Sequence, residues 1–448
     1  MKQNLKEFII FQNKKTNFTL TSYSNQVMLQ KKDTKIKNIH IIGGSIFGIL
    51  LALSLRKVKT FDQVKIIIYE KNNSILTSWQ NVSLFNKKVN KGFFGIEIPR
   101  SQEFINLFGA NFIKKNFDII PNYKLLLIEN DLIPYQYKSS DLPEVYKNQM
   151  SLFMDSGIEI NNLFKSEKFE NLEFFDLIKK CSHRYSDQVE DSIHMFYPWF
   201  FPENKFANIN NISSQSNTST KSTYLVPKTG IFSEIVSEVE ELLLKNKIEL
   251  NKNDSLELCH INRKNNENKY FWASSSIPLL KMFKPEAIKK MQINKRYCGI
   301  SLFELSTKKI NNWKRKFKYI PSEILPINSL CPNVSRISFA DHLETSQTSY
   351  LLIEINSKNE DFLNKIDISF LENWLSEVFN TPVRYKDSMN LFSSYNPSIN
   401  TYNSLDMELK DLLYELPFDV PFPYWWPINT SRAVSAAISV RDSLVTNI

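Results

Sequence analysis

The longest nearly uninterrupted apolar run of the chain, IHIIGGSIFGILLALSL, spans residues 39–55 and has lysines close to both of its ends. It falls short of the roughly 20 apolar residues that a membrane-spanning helix needs, and it contains a histidine, two adjacent glycines and a serine. The run divides more naturally into a buried strand at residues 37–42, a GGS turn and a helix at residues 46–57. The pattern therefore predicts a strand–turn–helix unit and no transmembrane segment.

A second apolar segment, VKIIIYEK at residues 64–71, predicts a strand that ends in Glu70, about 20 residues after the turn. In a dinucleotide-binding unit, glycines allow the tight turn and the close approach of the helix to the sheet. The helix N-terminus then holds the pyrophosphate, and the acid accepts the ribose hydroxyls. The residues assigned to this cofactor site are Gly43, Gly44, Ser45, Ile46, Phe47, Gly48, Glu70 and Lys71. An ordinary βαβ unit with a glycine-rich turn is the alternative interpretation.

Ser45 occupies the position of the middle glycine, which normally lets the backbone approach the pyrophosphate without a Cβ in the way. Its hydroxyl either donates to a phosphate oxygen or marks a site that binds the cofactor more loosely. Both interpretations stay open at the level of the sequence.

Hydrophobic periodicity organises the rest of the chain into strands and helices. Residues 1–36 form a polar, lysine-rich extension, and a Ser/Asn/Thr tract at residues 203–222 predicts a surface loop or linker. An amphipathic helix at residues 231–247 precedes two short strands, and residues 276–420 alternate strands with a helix, ISFLENWLSEVF. These elements predict an α/β chain with a second, mixed domain.

Composition and charge limit the partners. The 448 residues carry a formal net charge of +9, which favours anionic partners such as phosphates, and the length suggests two or three domains. The four cysteines and five histidines are scattered without disulfide or metal-ligand spacing. We therefore expect reduced thiols in a cytoplasmic protein and no metal site.

One segment combines basic and aromatic residues, TKKINNWKRKFKYI at residues 307–320. Such a mixture can bind nucleic acid through phosphate contacts and base stacking, but no nucleic-acid motif accompanies it. The segment predicts a solvated basic sheet edge or hairpin, and we expect a small-molecule substrate and no nucleic-acid partner.

Residues 39–70 resemble the N-terminal signature of the flavoproteins with two dinucleotide-binding domains, which include the amine oxidases, protoporphyrinogen oxidase and UDP-galactopyranose mutase. After the third glycine their pattern continues through an alanine and a leucine, here Ala52 and Leu55, to an apolar strand and the acid at Glu70. The resemblance implies FAD as the cofactor. A glycine pair usually follows the acid, and threonine and serine replace it at residues 77–78.

Later segments resemble the same proteins in the same order. Glu97 and Arg100 stand where the mutase has two histidines beneath the flavin, which makes both candidates for catalysis. Arg336 takes the position of an arginine that faces a substrate phosphate. The resemblance adds Asn429 and Thr430, at the start of the last helix, to the cofactor site. The candidate substrate-binding residues are Arg100, Arg336, Trp425 and Trp426, the two tryptophans as walls of the pocket.

The resemblance implies a Rossmann-like FAD-binding domain with a central parallel sheet, assembled from discontinuous segments, and a second, mixed substrate domain over the flavin. The implied FAD-binding segments are residues 37–100, 222–275 and 421–448, and the substrate segments are residues 101–221 and 276–420. The implied function is that of an FAD-dependent oxidoreductase acting on an unidentified small molecule. One hypothesis is that this molecule is phosphorylated or linked to a nucleotide. The alternatives are a nucleotide-sugar isomerase resembling UDP-galactopyranose mutase and a flavin-free binding protein on the same fold.

Overall fold

The computed structural model describes residues 36–91, 95–98, 101–121, 123–134, 144, 223–254, 267–274, 276–286, 295–317, 321–327, 331, 333–357, 359–395, 418–420 and 430–446. In chain order the strands are β1 (Asn38–Ile42), β2 (Lys65–Glu70), β3 (Asn81–Leu84), β4 (Lys87–Asn90), β5 (Ile96–Ile98), β6 (Phe117–Pro121), β7 (Lys124–Ile128), β8 (Asp131–Pro134), β9 (Thr223–Pro227), β10 (Ile248–Lys252), β11 (Asn268–Trp272), β12 (Lys295–Ser306), β13 (Glu323–Ile327), β14 (Val334–Phe339), β15 (Thr348–Ser357) and β16 (Val383–Tyr395). The helices are α1 (Ile46–Arg56), α2 (Ser101–Phe108), α3 (Ala110–Asn116), α4 (Val236–Lys245), α5 (Ser276–Phe283), α6 (Thr307–Lys314), α7 (Ile368–Phe379) and α8 (Thr430–Thr446).

The predicted strand–turn–helix–strand unit is present and forms the centre of a parallel sheet. Strand β1 leads through the glycine turn into α1, and β2 returns beside β1. The described strands of this sheet have the order β10-β2-β1-β11, and each neighbouring pair is parallel. This arrangement confirms the predicted α/β fold with a central parallel sheet built from discontinuous segments.

Helix α1 is buried on all sides because it lies between the parallel sheet and α8. Every residue from Phe47 to Leu55 is buried, which explains why the helix is apolar all round. The small residue Ala437 lets α8 approach closely, and its carbonyl oxygen accepts a hydrogen bond from Ser54 Oγ at 3.2 Å. Burial of α1 therefore joins the first and last described elements of the chain.

Two antiparallel sheets lie beside this unit. Strands β5, β9 and β6 form a three-stranded sheet in that spatial order, and β3 pairs with β4 in a hairpin. The rings of Trp79 and Phe232 lie 5.1 Å apart, so the segment that follows β2 packs against the segment that follows β9. These contacts attach the three-stranded sheet to the parallel sheet.

The second large unit is a seven-stranded mixed sheet of order β16-β12-β15-β14-β13-β7-β8. Its neighbouring pairs are antiparallel except for β13 and β7, which are parallel. Helix α7 packs on this sheet through Leu371, Trp374, Leu375 and Phe379, and Asp367 caps its N-terminus. The predicted helix ISFLENWLSEVF is confirmed, because its apolar spacing is that of one helix face.

The basic and aromatic segment at residues 307–320 begins as helix α6, so the predicted sheet edge or hairpin is wrong. Ile310 and Trp313 are buried three positions apart, whereas Lys308 and Lys309 are exposed. Apolar residues at this spacing form one side of a helix. The lysines obscured that signal in the sequence.

The predicted domain boundaries stay a prediction. One pair of strands crosses a predicted boundary. Strand β6, from a segment assigned to the substrate domain, pairs with β9 from a segment assigned to the FAD-binding domain.

Among the described helices, none combines the length and the apolar composition needed to cross a membrane.

Replacing Leu51 with alanine should lower the free energy of unfolding by about 2–5 kcal/mol, because the side chain is fully buried in α1 between two layers. Denaturant unfolding followed by circular dichroism measures this loss. Leu244→Ala is the matched control: its side chain, in α4, is 75% exposed, and the change should stay within about 0.5 kcal/mol of wild type. Equal losses in the two variants would contradict the buried position of α1.

Candidate functional site

The glycine turn brings the start of α1 against the ends of β1 and β11. Gly43 has a φ of +119°, and a Cβ placed there would lie 2.9 Å from the backbone of Ala273. A Cβ on Gly48 would lie 2.3 Å from the carbonyl oxygen of Gly43. Both positions therefore require glycine, the first for its backbone conformation and the second for the contact between helix and turn.

The Ser45 side chain bonds to two backbone groups of the described residues. Ser45 is the N-cap of α1, and its Oγ accepts a hydrogen bond from the Gly48 backbone N–H at 3.3 Å. The same hydroxyl donates to the carbonyl oxygen of Ala273 at 2.6 Å. An N-cap oxygen of this kind satisfies one of the backbone N–H groups at the start of a helix. The Ser45 hydroxyl therefore connects the start of α1 to the end of β11.

Glu70 lies at the end of β2 beside the turn, as the sequence predicts. Its side chain is buried, and one carboxylate oxygen accepts a hydrogen bond from the Gly44 N–H at 2.9 Å. The other oxygen accepts from the backbone N–H of Asn72 at 2.9 Å and from its side-chain amide at 2.6 Å. A carboxylate has about four acceptor positions, so Glu70 retains capacity for one further donor. Lys71, the next residue, is exposed.

The residues that follow Glu70 fold over the turn. The Leu76 N–H donates to the carbonyl oxygen of Gly44 at 2.8 Å, and a Cβ on Gly44 would lie 2.7 Å from the Ile75 side chain. Leu76 has a φ of +52°, immediately before the two positions where the glycine pair is replaced. Ile75 and Leu76 are both buried, so apolar side chains close one side of the turn.

Two polar groups of the turn keep capacity for a further hydrogen bond. The Ile46 N–H, in the first turn of α1, has no acceptor among the described residues, and the helix N-terminus carries partial positive charge. Glu70 keeps an acceptor position for a ribose hydroxyl. The groups that bind pyrophosphate and ribose in a dinucleotide unit are therefore present, except that Ser45 occupies the Gly48 N–H.

A second candidate site is a pocket of about 330 Å³ between the three-stranded sheet and the seven-stranded sheet. Strands β6 and β9 line it on one side, and β14 and β15 line it on the other. This volume lies at the lower end of the range for small-molecule sites. The charged side chains that line the pocket are Asp118, Lys228, Arg336, Asp341 and Glu354.

Arg336 lies in the wall of this pocket, and its guanidinium group binds two carboxylates. It donates to Glu323 at 2.9 Å and to Glu354 through Nε at 3.2 Å, with a further contact from its terminal nitrogen to the same Glu354 oxygen. Glu323 also lies 3.3 Å from the Lys124 ammonium group and accepts a hydrogen bond from the Tyr224 hydroxyl at 3.1 Å. The Arg336 cluster, formed by these five residues, contains two cations and two carboxylates.

The Arg336 cluster lowers the pKa of Glu323. Burial favours the neutral acid, because the side chain is only 4% exposed, but Lys124 and Arg336 outweigh burial and lower the pKa to about 2. Glu323 is therefore ionised at neutral pH and compensates part of the charge of Arg336. The pocket wall presents an ion-paired arginine rather than a single uncompensated cation.

Gly230 and His342, which both line the pocket, make a close contact that the sequence did not predict. Gly230 has a φ of +76°, and a Cβ there would lie 2.1 Å from the Cβ of His342. The Asn90 side chain donates to the Gly230 carbonyl oxygen at 2.7 Å and accepts from the Phe232 N–H at 2.9 Å. His342 Nε2 lies 3.1 Å from the Lys88 carbonyl oxygen, and burial lowers the pKa of His342. Asn90 and His342 belong to no sequence motif, so the sequence gives no sign of this contact.

The remaining sequence-predicted residues keep the status of predictions. Glu97 lies on β5, and Thr430 is the first residue of α8. Arg100, Trp425, Trp426 and Asn429 lie outside the described residues. The described residues thus bring Gly43, Gly48 and Glu70 together and place Arg336 in a separate pocket.

Comparison with known proteins bears on the fold. No sequence-family model and no curated protein matches the chain. The chain is similar in structure to a candidate protoporphyrinogen oxidase from Exiguobacterium sp. 255-15, with a TM-score of 0.56, 10% identity and coverage of 92% of this chain and 99% of that one. It is also similar to a putrescine oxidase bound to putrescine, with a TM-score of 0.51, 11% identity and coverage of 92% and 99%. A third similar structure is an oxidoreductase from Methanosarcina mazei, with a TM-score of 0.50, 11% identity and coverage of 81% and 90%.

At these identities the similarity shows the fold alone. The chain has the fold of these oxidoreductases, and the fold that the resemblance implied is confirmed.

The Arg336 cluster should make stability depend on pH in the acidic range. Because folding lowers the pKa of Glu323 from 4.5 to about 2, its contribution is complete above the unfolded pKa and is lost as the pH falls towards 2. Glu323→Gln should lower the free energy of unfolding at neutral pH by about 3 kcal/mol and weaken its dependence on pH below about pH 5. Urea unfolding at a series of pH values measures both effects.

Glu360→Gln provides the matched control, because it makes the same chemical change at an exposed position. It should leave the free energy of unfolding within about 0.5 kcal/mol of wild type. A Glu323→Gln variant with the pH profile of the wild type would contradict the ionised state assigned to Glu323.

Proposed function

We propose that the protein is an FAD-binding oxidoreductase that acts on a small molecule in the pocket beside Arg336. The observation that carries the proposal is the 2.9 Å hydrogen bond between the Gly44 N–H and the Glu70 carboxylate. It brings the glycine turn together with the acid at the strand end, where a dinucleotide unit has its ribose acceptor. The fold supports the same assignment, because oxidoreductases share it over most of the chain.

The residues that would hold the cofactor belong to β2, α1 and α8. The Ile46 N–H and the positive end of α1 suit the pyrophosphate, and the Glu70 carboxylate suits a ribose hydroxyl. By resemblance, Thr430, the first residue of α8, and Asn429, which precedes it in the sequence, would face the isoalloxazine ring. FAD supplies the redox chemistry when bound, and the protein contributes binding, orientation and exclusion of water.

The pocket suits a small molecule that is recognised by hydrogen bonds and apolar contacts. Ile120 and Leu352 contribute apolar surface, and Ser338 contributes a hydroxyl. The guanidinium group of Arg336 is bound to Glu323 and Glu354, so this arginine contributes little net charge for a substrate phosphate. The pocket therefore favours a substrate without a phosphate at Arg336 over the nucleotide sugar of the isomerase alternative.

A flavin-free binding protein on the same fold is the second candidate, and the contacts of the turn favour it. Ser45 already satisfies the Gly48 N–H, and the Ile75 side chain lies against Gly44. At Gly44 and Gly48 the turn therefore has protein partners where a cofactor-dependent enzyme needs free groups.

Glu70→Gln should weaken FAD binding by about 10-fold or more, because a neutral amide replaces the carboxylate that accepts from the ribose. Titration of flavin-free protein with FAD, followed by quenching of flavin fluorescence, measures the affinity. Glu249→Gln is the matched control on the neighbouring strand β10. Its side chain is 51% exposed and pairs with Lys65 at the surface, so this variant should bind FAD as the wild type does.

The visible absorption spectrum of the purified wild-type protein separates the two candidate functions. Flavin absorption bands, or uptake of added FAD, support the oxidoreductase. A colourless protein that takes up no FAD supports the flavin-free binding protein. Equal FAD affinity of Glu70→Gln and wild type would contradict the cofactor site assigned to β2 and α1.

A further inference from the structure

The Ser45 hydroxyl makes a hydrogen bond that a phosphate oxygen makes at other glycine turns. A phosphate at a helix N-terminus accepts hydrogen bonds from the backbone N–H groups of the first turn. Ser45 Oγ accepts from one of these groups, the Gly48 N–H, at 3.3 Å. The same hydroxyl donates to the Ala273 carbonyl oxygen at 2.6 Å, so one hydrogen bond to α1 and one to the end of β11 fix its position. The Ser45 hydroxyl thus takes one acceptor position that a phosphate oxygen would occupy, the one at the Gly48 N–H.

The two polar backbone groups of Gly44 are also satisfied within the protein. The Gly44 N–H donates to Glu70 at 2.9 Å, and the Gly44 carbonyl oxygen accepts from the Leu76 N–H at 2.8 Å. Polar groups that have protein partners do not need a ligand to offset their burial. Protein groups thus hold Gly44 and Gly48 in a closed arrangement of the turn, whereas the Ile46 N–H has no acceptor among the described residues.

We propose that Ser45 is a specificity-determining residue that stabilises this closed arrangement and makes dinucleotide binding weak and reversible. The inference rests on the proposed function, because it assigns the turn to a dinucleotide. A pyrophosphate competes with Ser45 Oγ for the Gly48 N–H, and the Ser45 Cβ occupies space that a glycine leaves open. Binding therefore breaks a hydrogen bond that the protein has already made, and this lowers the affinity.

Ser45→Gly should raise the affinity for FAD and for ADP by about 10-fold, because it removes the competing hydroxyl and the Cβ together. The same change should lower the thermal midpoint of the nucleotide-free protein by a few degrees. Ser45→Ala frees the Gly48 N–H but keeps the Cβ, so its gain in affinity should be smaller. ADP is the second probe because it carries the ribose and the diphosphate without the flavin.

Affinities are measured by isothermal titration calorimetry and thermal midpoints by differential scanning fluorimetry without nucleotide. Ser54→Ala is the matched control, because it removes a buried serine hydroxyl from the same helix, away from the turn. Ser54 Oγ donates to the carbonyl oxygens of Leu51 at 2.9 Å and Ala437 at 3.2 Å. This variant should lower the thermal midpoint and leave both affinities unchanged.

The outcomes distinguish the inference from the proposed function. Weaker nucleotide binding by Ser45→Gly and Ser45→Ala overturns the inference, because the hydroxyl then contacts the nucleotide. Unchanged affinity also overturns it, and FAD binding by the wild type then leaves the proposed function intact. Binding by Ser45→Gly but not by the wild type supports the inference and contradicts the proposed function. Binding by none of the proteins overturns both.

Discussion

The contact between Gly48 and the carbonyl oxygen of Gly43 is the constraint on which the rest of the candidate cofactor site depends. A Cβ at Gly48 would come within 2.3 Å of that oxygen, so α1 lies against the end of β1 only because residue 48 is glycine. This close approach allows α1 to be buried between the sheet and α8, and it brings the start of α1 beside Glu70. The geometry of a dinucleotide unit thus follows from one steric requirement and the burial of one helix.

The hydrogen bonds of this turn distinguish it from a turn whose N–H groups bind a phosphate. Buried polar groups need partners, and three backbone groups of this turn have them: the Gly48 N–H in Ser45, the Gly44 N–H in Glu70 and the Gly44 carbonyl oxygen in Leu76. A turn that depends on a phosphate to satisfy its N–H groups is stabilised by the cofactor, whereas this turn is stabilised in part by the side chains of Ser45 and Glu70 and by the Leu76 N–H. In the proposed cofactor site, these local contacts would reduce the gain from binding a dinucleotide.

The Arg336 cluster follows the same rule with charges instead of neutral groups. A largely buried arginine is stabilised by anionic partners, and Glu323 and Glu354 supply them to Arg336, whose side chain is 24% exposed. Glu323 in turn needs Lys124 and Tyr224, so two cations and two carboxylates form one unit at the wall of the pocket. The formal charge of +9 for the whole chain gives no guide to the charge of this pocket, because pairing is local.

The sequence by itself determined the elements whose signals lie close together along the chain. Strand β1, the glycine turn, α1 and β2 were predictable because apolar periodicity and glycine spacing act within about 30 residues, and α7 was predictable from its apolar face. Helix α6 was missed because its lysines masked the spacing of Ile310 and Trp313. Only the tertiary structure decided that Ser45 meets Ala273, 228 residues away, that Gly230 meets His342 and that Arg336 binds two carboxylates. Hydrogen bonds and ion pairs depend on distance in space, and that distance is set by how sheets and helices pack rather than by position along the chain.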